Sequence, residues 1–236
     1  MSRTYRQWVL GLTLIALPCW AMATEKAYRA MSRELQIINS NAFLEGHPDL
    51  KFRGKGWASY QQDQFTDALQ YFRESAKYAD KVSQGMLAEM AWKGEGMPVD
   101  RPLAYAWADI AAERGYKQFL GLREYYWNAL SQAERARALQ IGGPLMREFG
   151  DDAAKPRMAK ALYKPRMVMV GHMIRRNSTI LLKDADDHFH AFDGSEFYAA
   201  KYWEPKRYQA WLDEVWLKTR EGTVEVGSPQ IPAPKN

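Results

Sequence analysis

The sequence predicts a mainly α-helical protein: a short solenoid of antiparallel helix pairs followed by a small mixed α/β C-terminal module. Three observations predict it. Apolar residues recur at spacings of three and four through most of residues 48–140. The breaks between these stretches are short, and a link of a few residues folds one helix back on the last. The chain also matches itself at an offset of 36 residues: Ala68 meets Ala104, Tyr71 meets Trp107, Phe72 meets Ala108 and Ala76 meets Ala112. A period of about 20–50 residues marks stacked units that each need a neighbour to bury their apolar side.

The 236 residues are 47% hydrophobic and 26% charged, enough for one large domain or two small ones. The first 23 read differently from the rest. "MSRTYRQ" carries two Arg and no acid, "WVLGLTLIALPCWAMA" is apolar, and it ends in Ala21-Met22-Ala23. This is the n-region, h-region and small-x-small pattern of a secretory signal, with cleavage expected after Ala23. The apolar run is short for a membrane span, which takes about 20 residues. An uncleaved anchor over residues 8–23 is the rival reading, and membrane contact is expected only in that case. Cys19 raises a lipoprotein reading, but Ala16-Leu17-Pro18 is a poor lead-in to a modified cysteine.

Cys19 is the only cysteine. A chain starting at Thr24 therefore has no disulfide, thiolate metal site or cysteine nucleophile. A cysteine-free exported protein of this size fits a bacterial periplasm, the expected location. Loss of Arg3 and Arg6 leaves 31 basic against 28 acidic residues, a net charge of about +3 instead of +5. That balance gives no reason to expect nucleic acid.

Taken in order, residues 24–45 are expected to be helical, with Tyr28, Met31, Leu35 and Ile38 on one face, stopped by Gly46-His47-Pro48. Residues 48–62 predict a helix that buries Leu50, Trp57 and Tyr60, with "GKG" at 54–56 inside it. Residues 64–79 predict its partner, with Phe65, Ala68, Leu69, Phe72 and Ala76 as the stripe. Residues 83–93 and 102–114 form the next pair across "KGEGMPVDRP". Helices 117–129 and 132–141 make a third pair. Ser131 and Glu134 form a capping box at the head of the last helix, and "IGGP" is expected to end it.

The turn of the second pair has clear physical reasons. Gly94 and Gly96 allow the positive φ of a tight helix exit. Asp100, two residues before Pro102, caps the next helix. Ala104, Ala108, Ala111 and Ala112 let neighbouring helices approach closely, Trp107 fills the space between layers, and Gly115 ends the helix. Ala88, Ala91, Gly94-Glu95-Gly96, Val99-Asp100, Ala104, Trp107 and Ala111-Ala112-Glu113-Arg114-Gly115 resemble the Sel-one-like repeat (SLR), a relative of the tetratricopeptide repeat. Residues 54–79 resemble it more weakly, lacking the Gly-x-Gly turn and keeping Ala68, Phe72 and Ala76. The likeness covers roughly residues 48–140. It implies a scaffold that holds a protein or peptide on a concave face, with no catalytic residues to carry over.

The expected organisation is thus a signal peptide (1–23), a repeat domain (24–150), a linker (151–165), a small α+β module (166–227) and a flexible Pro-rich tail (228–236). Within the module, "RMVMVGHMI" and "STILLKD" read as two strands joined at Arg175-Arg176-Asn177. Residues 205–219 read as a helix with Tyr208, Leu212, Val215 and Trp216 on one face, and "GTVEVG" as a final strand.

For chemistry, "KDADDHFHAFD" at 183–193 is the richest stretch. His188 and His190 point the same way if extended, and Asp184, Asp186 and Asp187 offer oxygens. His188, His190 and Asp186 are candidate metal ligands, with His172 a further histidine in the same third of the chain. The other reading is a polar loop with capping aspartates, since no metal-ligand spacing is present. Calcium-loop spacing is absent. Ser178 and Ser195 lack a Gly-x-Ser-x-Gly elbow, and "GKG" lacks phosphate-loop spacing. No catalytic residue and no cofactor is expected. The principal reading is a non-enzymatic, exported scaffold for another protein or peptide. Its alternative is a metal-binding or metal-dependent hydrolytic module at His188 and His190. Candidate partner-binding residues are Tyr60, Glu89 and Lys93 on the first helices of the pairs, with the run Tyr125, Tyr126 and Trp127, which one helix cannot bury completely.

Overall fold

The computed structural model describes the backbone of residues 31–170, 178–183 and 188–218, with side chains except for 164–170 and 215–218. The signal segment, Tyr28, His172, the 175–177 turn, Asp184, Asp186, Asp187, "GTVEVG" and the tail lie outside these residues. The elements are α1 (31–38), α2 (Asn41–Gly46), α3 (Pro48–Gln61), α4 (Phe65–Ala76), α5 (Lys81–Lys93), α6 (Arg101–Ala112), α7 (Lys117–Ala129), α8 (Gln132–Phe149) and α9 (Asp151–Val170). There follow β1 (Thr179–Lys183), β2 (Phe189–Asp193), α10 (Gly194–Phe197), α11 (Ala200–Trp203) and α12 (Pro205–Lys218). The chain is mainly helical, with a two-stranded sheet near its C-terminus. Among the described residues no helix is long and apolar enough to cross a membrane. They fall into two compact units: α3–α9 with α11 and α12, and α1, α2, the hairpin and α10.

In the larger unit α3 pairs with α4 and α5 with α6, and α4 packs on α5. The residues matched at the 36-residue offset supply its centre. Ala68, Phe72 and Ala76 of α4 and Ala104, Ala108 and Trp107 of α6 are all buried, together with Met90, Ala91 and Ile110. Small residues set the spacing. A Cβ at Gly56 would come within 2.7 Å of the Phe72 ring, and one at Gly85 within 2.6 Å of the Phe119 ring. Gly56 is thus the α3 residue turned to α4, and Trp57 is exposed rather than sharing a buried side with Leu50.

Three expectations change in this unit. Helix α8 runs through Gly142, Gly143 and Pro144 to Phe149, without stopping at "IGGP". Pro144 is exposed, so water can take the carbonyl it leaves unbonded. The far end is fixed by Phe149, which is fully buried and 4.7 Å from Trp107 in an edge contact. Helices α7 and α8 each pack on α6, and the third pair does not close on itself as the first two do. Residues 151–165, read as a linker, are the first three quarters of the 20-residue α9. Its Ala154, Met158 and Leu162 are buried at a spacing of four.

The expected C-terminal module is divided: α11 and α12 belong with the repeat, the hairpin with α1 and α2. Residues 166–170, expected in a strand, are the last turn of α9. The partner of β1 is β2, in antiparallel register with Ile180 opposite Phe192 and Leu182 opposite His190. Leu182 and Phe192 are buried, while Leu181 and Phe189 on the other face are exposed. Phe43 of α2 meets Phe197 at 6.3 Å, and Arg33 pairs with Glu196 at 2.7 Å. In α1, Ile37 is the buried residue, and Met31 and Leu35 are exposed. One residue of slippage turns a helix by about 100°, so a pattern of four apolar residues leaves the buried side of this helix loosely placed.

Candidate protein-binding face

The turn between α5 and α6 organises the C-terminal ends of the first helices of the pairs. Gly94 closes α5 in the left-handed region at φ 79°, and its N–H donates to the Met90 carbonyl at 2.9 Å. Gly96, at φ 74°, lies so close to α4 that a Cβ would stand 2.5 Å from the Phe65 carbonyl oxygen. Asp100 accepts from the Leu103 N–H at 3.0 Å as the α6 cap, and its own N–H donates to the Ala91 carbonyl at 2.9 Å. Both ends of the turn are therefore tied down. Between the glycines, Glu95 accepts a hydrogen bond from the Tyr60 hydroxyl at 2.8 Å. Burial and that bond hold the Tyr60 phenol above its ordinary value.

A run of rings and charges continues from this point. Trp57 meets Tyr60 edge-on at 5.9 Å, and Tyr60 meets Phe65 at 5.3 Å. On α5, Lys93 pairs with Glu89 at 3.5 Å. One turn away, Trp92 stacks on Tyr126 at 4.2 Å and meets Tyr125 at 6.1 Å, with the Arg101 guanidinium 5.2 Å above it. Tyr125 is 63% exposed and Trp57 39%, while Tyr60 and Trp92 are half-buried. Rings held edge-on and stacked cannot collapse onto the surface. They present rigid apolar area beside balanced charges, the composition that interface centres use.

The structure separates the residues expected here. Tyr60, Glu89, Lys93 and Tyr125 lie on this face. Tyr126 is 3% exposed and belongs to the core, where its ring is the platform for Trp92. Trp127 turns away, 4.7 Å from Tyr105, under the Arg135 guanidinium at 5.0 Å. Helical rotation of about 100° per residue spreads three consecutive rings over three directions. Trp57, Trp92, Glu95 and Arg101 also belong to the face. Glu89 and Trp92 are three apart on a helix, a signal that was present in the sequence. The contact of Tyr60 with Glu95 crosses 35 residues and had none.

A recess of about 460 Å³ opens beside the turn, lined by Val99, Asp100, Arg101, Pro102, Ala133, Glu134 and Arg137. Both helix heads there are closed by their own caps, Asp100 on α6 and the Ser131–Glu134 box on α8. Arg137 is paired with Asp100 at 2.7 Å.

The described part of the histidine stretch runs from just before β2 through β2. His190 is half-buried in β2, 6.5 Å from Phe192, and His188 lies just before the strand and is exposed. Among the described residues no three His, Cys, Asp or Glu side chains gather as a metal site. The expected ligand Asp186 lies outside them. Ser195, which lacks a nucleophile elbow in the sequence, donates its N–H to Asp193 at 2.8 Å as part of the turn into α10.

No family model matches the chain, and no curated protein matches it. Among solved structures, the chain is similar to the crystal structure of c5321, a protective antigen present in uropathogenic Escherichia coli strains and displaying an SLR fold. The TM-score is 0.41 at 21% identity, over 48% of this chain and 25% of that one. The match thus spans a quarter of that protein's length.

Proposed function

We propose that the protein is a non-catalytic scaffold that holds another protein or a peptide on the face formed by Trp57, Tyr60, Glu89, Trp92, Lys93 and Tyr125. The observation that carries this reading is the set of exposed rings held in place by Tyr126, Glu95 and the Gly94–Gly96 turn. Rings ordered before binding lose little entropy on docking, so area buried on them converts well into affinity. The charges interleaved with them, Glu89, Lys93, Glu95 and Arg101, favour a partner of mixed charge over a polyanion.

Export belongs to the same proposal and is supported by the pattern of residues 1–23. The scaffold would then act in a bacterial periplasm, within an envelope assembly. A mature chain starting at Thr24 in N-terminal sequencing supports it, and a retained residue 1 refutes it.

The binding face is tested by crosslinking in the producing cell, with the Trp57→Ala/Tyr125→Ala double variant alongside. A stoichiometric partner captured by the wild type, and lost by a variant of unchanged melting temperature, is the expected result. A partner retained by that variant places the interface elsewhere.

A further inference from the structure

At the opposite ends of these helices, α12 is held to the repeat by two phenol–carboxylate pairs. Tyr208 donates to Oδ2 of Asp49 on α3 at 2.6 Å, and Tyr116, before α7, donates to Oδ1 of Asp213 on α12. The pairs are not equivalent. Asp213 is partly exposed, also accepts from Gln209 at 2.8 Å, and has Arg114 at 3.6 Å. Asp49 is buried, and its Oδ1 has no hydrogen-bond partner among the described residues. A buried carboxylate oxygen without a donor is costly.

The neighbours of Asp49 do not supply the missing charge. From its own helix comes Arg53, already bound to Asp80 at 2.9 Å. From the head of α5 comes Asp80, which also accepts from the Ser83 N–H at 3.0 Å and from the Ser83 hydroxyl at 2.7 Å. From α4 comes Ser75, whose hydroxyl donates to the Asp49 carbonyl at 2.7 Å. From α12 comes Tyr208, whose ring lies 4.9 Å from that of His47. On α9, Lys155 lines the groove beside Tyr208 and is held by Asp151 at 2.7 Å. One guanidinium between two carboxylates leaves the cluster neutral only with a proton on Asp49. Burial above all, with repulsion from Asp80, pushes the Asp49 carboxyl up to about 7, against the pull of Tyr208, the Leu50 amide and Arg53.

The seam that depends on this pair is not closely filled. A groove of about 460 Å³ runs between α9 and α12, lined by Met158, Ala159, Pro205, Tyr208 and Gln209 among others. Helix α11 leans on the same point: His47 Nε2 is 2.8 Å from the Tyr202 carbonyl, and the His47 ring is 4.7 Å from that of Trp203.

We propose that α11 and α12 form a proton-dependent clasp on the repeat, shut while Asp49 carries a proton and loosened as Asp49 ionises. The folded cluster binds the proton more tightly than the unfolded chain does. The stabilisation is therefore complete below about pH 4 and is lost as pH rises through about 7. Acid tightens the clasp, and mild alkali loosens it while the apolar core stays intact.

The test is hydrogen exchange of the full chain at pH 5 and pH 8, read over residues 200–218 and corrected for the intrinsic rate. The expected result is an opening equilibrium at least about tenfold larger at pH 8, since each unit of pH between the two proton affinities changes it by up to about tenfold. In Asp49→Asn the opening should be the same at both values. Equal opening in the wild type overturns the proposal, and so does a pH dependence that survives in Asp49→Asn. Should that variant not fold, carboxyl carbon NMR of the wild type decides. A midpoint near 7 that coincides with the opening supports the clasp, and one near the ordinary value of about 4 overturns it.

Discussion

Ala79 and Gly115 stand one repeat apart, at the 36-residue offset, and share the left-handed backbone region at φ 67° and φ 72°. Each follows the second helix of its pair and turns the chain into the next. The first repeat meets this need with alanine and the second with glycine. Nothing lies within 4 Å of where a Gly115 Cβ would be, so a substitution there is a measure of backbone strain alone. Gly115→Ala should lower stability by about 1 kcal/mol, read as a lower denaturant midpoint at unchanged slope. The reverse change, Ala79→Gly, relieves strain but gives up a buried methyl worth about 0.8 kcal/mol. It should therefore leave the midpoint nearly unmoved.

The "GKG" of α3 offers a pair of opposite outcomes. A methyl at Gly54 meets nothing within 4 Å, whereas one at Gly56 meets the Phe72 ring at 2.7 Å. Gly54→Ala should raise stability by about 0.5–1 kcal/mol, since alanine is the better helix former. Gly56→Ala should lower it by about 1–3 kcal/mol through overpacking against Phe72. Thermal melts of the two variants check both signs, and equal effects would place the α3–α4 contact elsewhere.

The helix pairs were legible because their signals are local: the 3.6-residue stripe of α4, the capping box of Ser131 and Glu134, and the glycines of the α5–α6 turn. The errors fall where tertiary contact overrode a local signal. Gly142 and Gly143 of "IGGP" read as a stop, but the Phe149 anchor against Trp107 carries α8 past them. Residues 151–165, with Pro156 and Pro165, read as a linker, while the buried Ala154, Met158 and Leu162 make them helical. Residues 166–170, rich in Met and Val, fit a strand or a helix equally, and the pairing of β1 with β2 left them to α9. Of the proposed binding face, Tyr60, Glu89 and Lys93 are expected from helical position and Tyr125 from its run of adjacent rings. Its fixed geometry rests on Tyr60 with Glu95 and Trp92 with Tyr126, contacts that spacing does not encode. The Asp49–Tyr208 pair crosses 159 residues and leaves no trace in any local pattern.

A second charged cluster sits under the α5 head and responds to acid in the opposite sense from Asp49. Lys81 is 2% exposed and donates to the Ile110 carbonyl at 2.9 Å and to Glu113 at 2.7 Å, with Asp151 at 3.0 Å. Arg114 grips both oxygens of Asp151, at 2.8 and 2.9 Å. Burial alone would raise the Asp151 carboxyl, but Arg114 and Lys81 hold it well below the usual carboxylate range. Its contribution is therefore present above about pH 4 and is lost as pH falls below that value. Asp151→Ala removes one anion from a buried lysine and should cost about 3–5 kcal/mol. The same variant should flatten the acid limb of the stability curve below pH 4, measured by urea unfolding across pH.

Tyr125 and Tyr126 are neighbours in sequence with opposite roles, and alanine at each separates folding from binding. Tyr126 is buried beneath Trp92, and its loss leaves a cavity in the core that Met90 and Trp107 share. Tyr126→Ala should cost about 3–5 kcal/mol and disorder Trp92 with it. Tyr125 is 63% exposed, so Tyr125→Ala should change stability by less than about 0.5 kcal/mol. If this face holds the partner, Tyr125→Ala should nevertheless weaken binding by about 1–2 kcal/mol, a factor of roughly 5 to 30. Equilibrium unfolding and a binding titration on the same two proteins give the comparison. A Tyr125→Ala variant that binds as the wild type does moves the partner off this face, whatever Tyr126→Ala does to the fold.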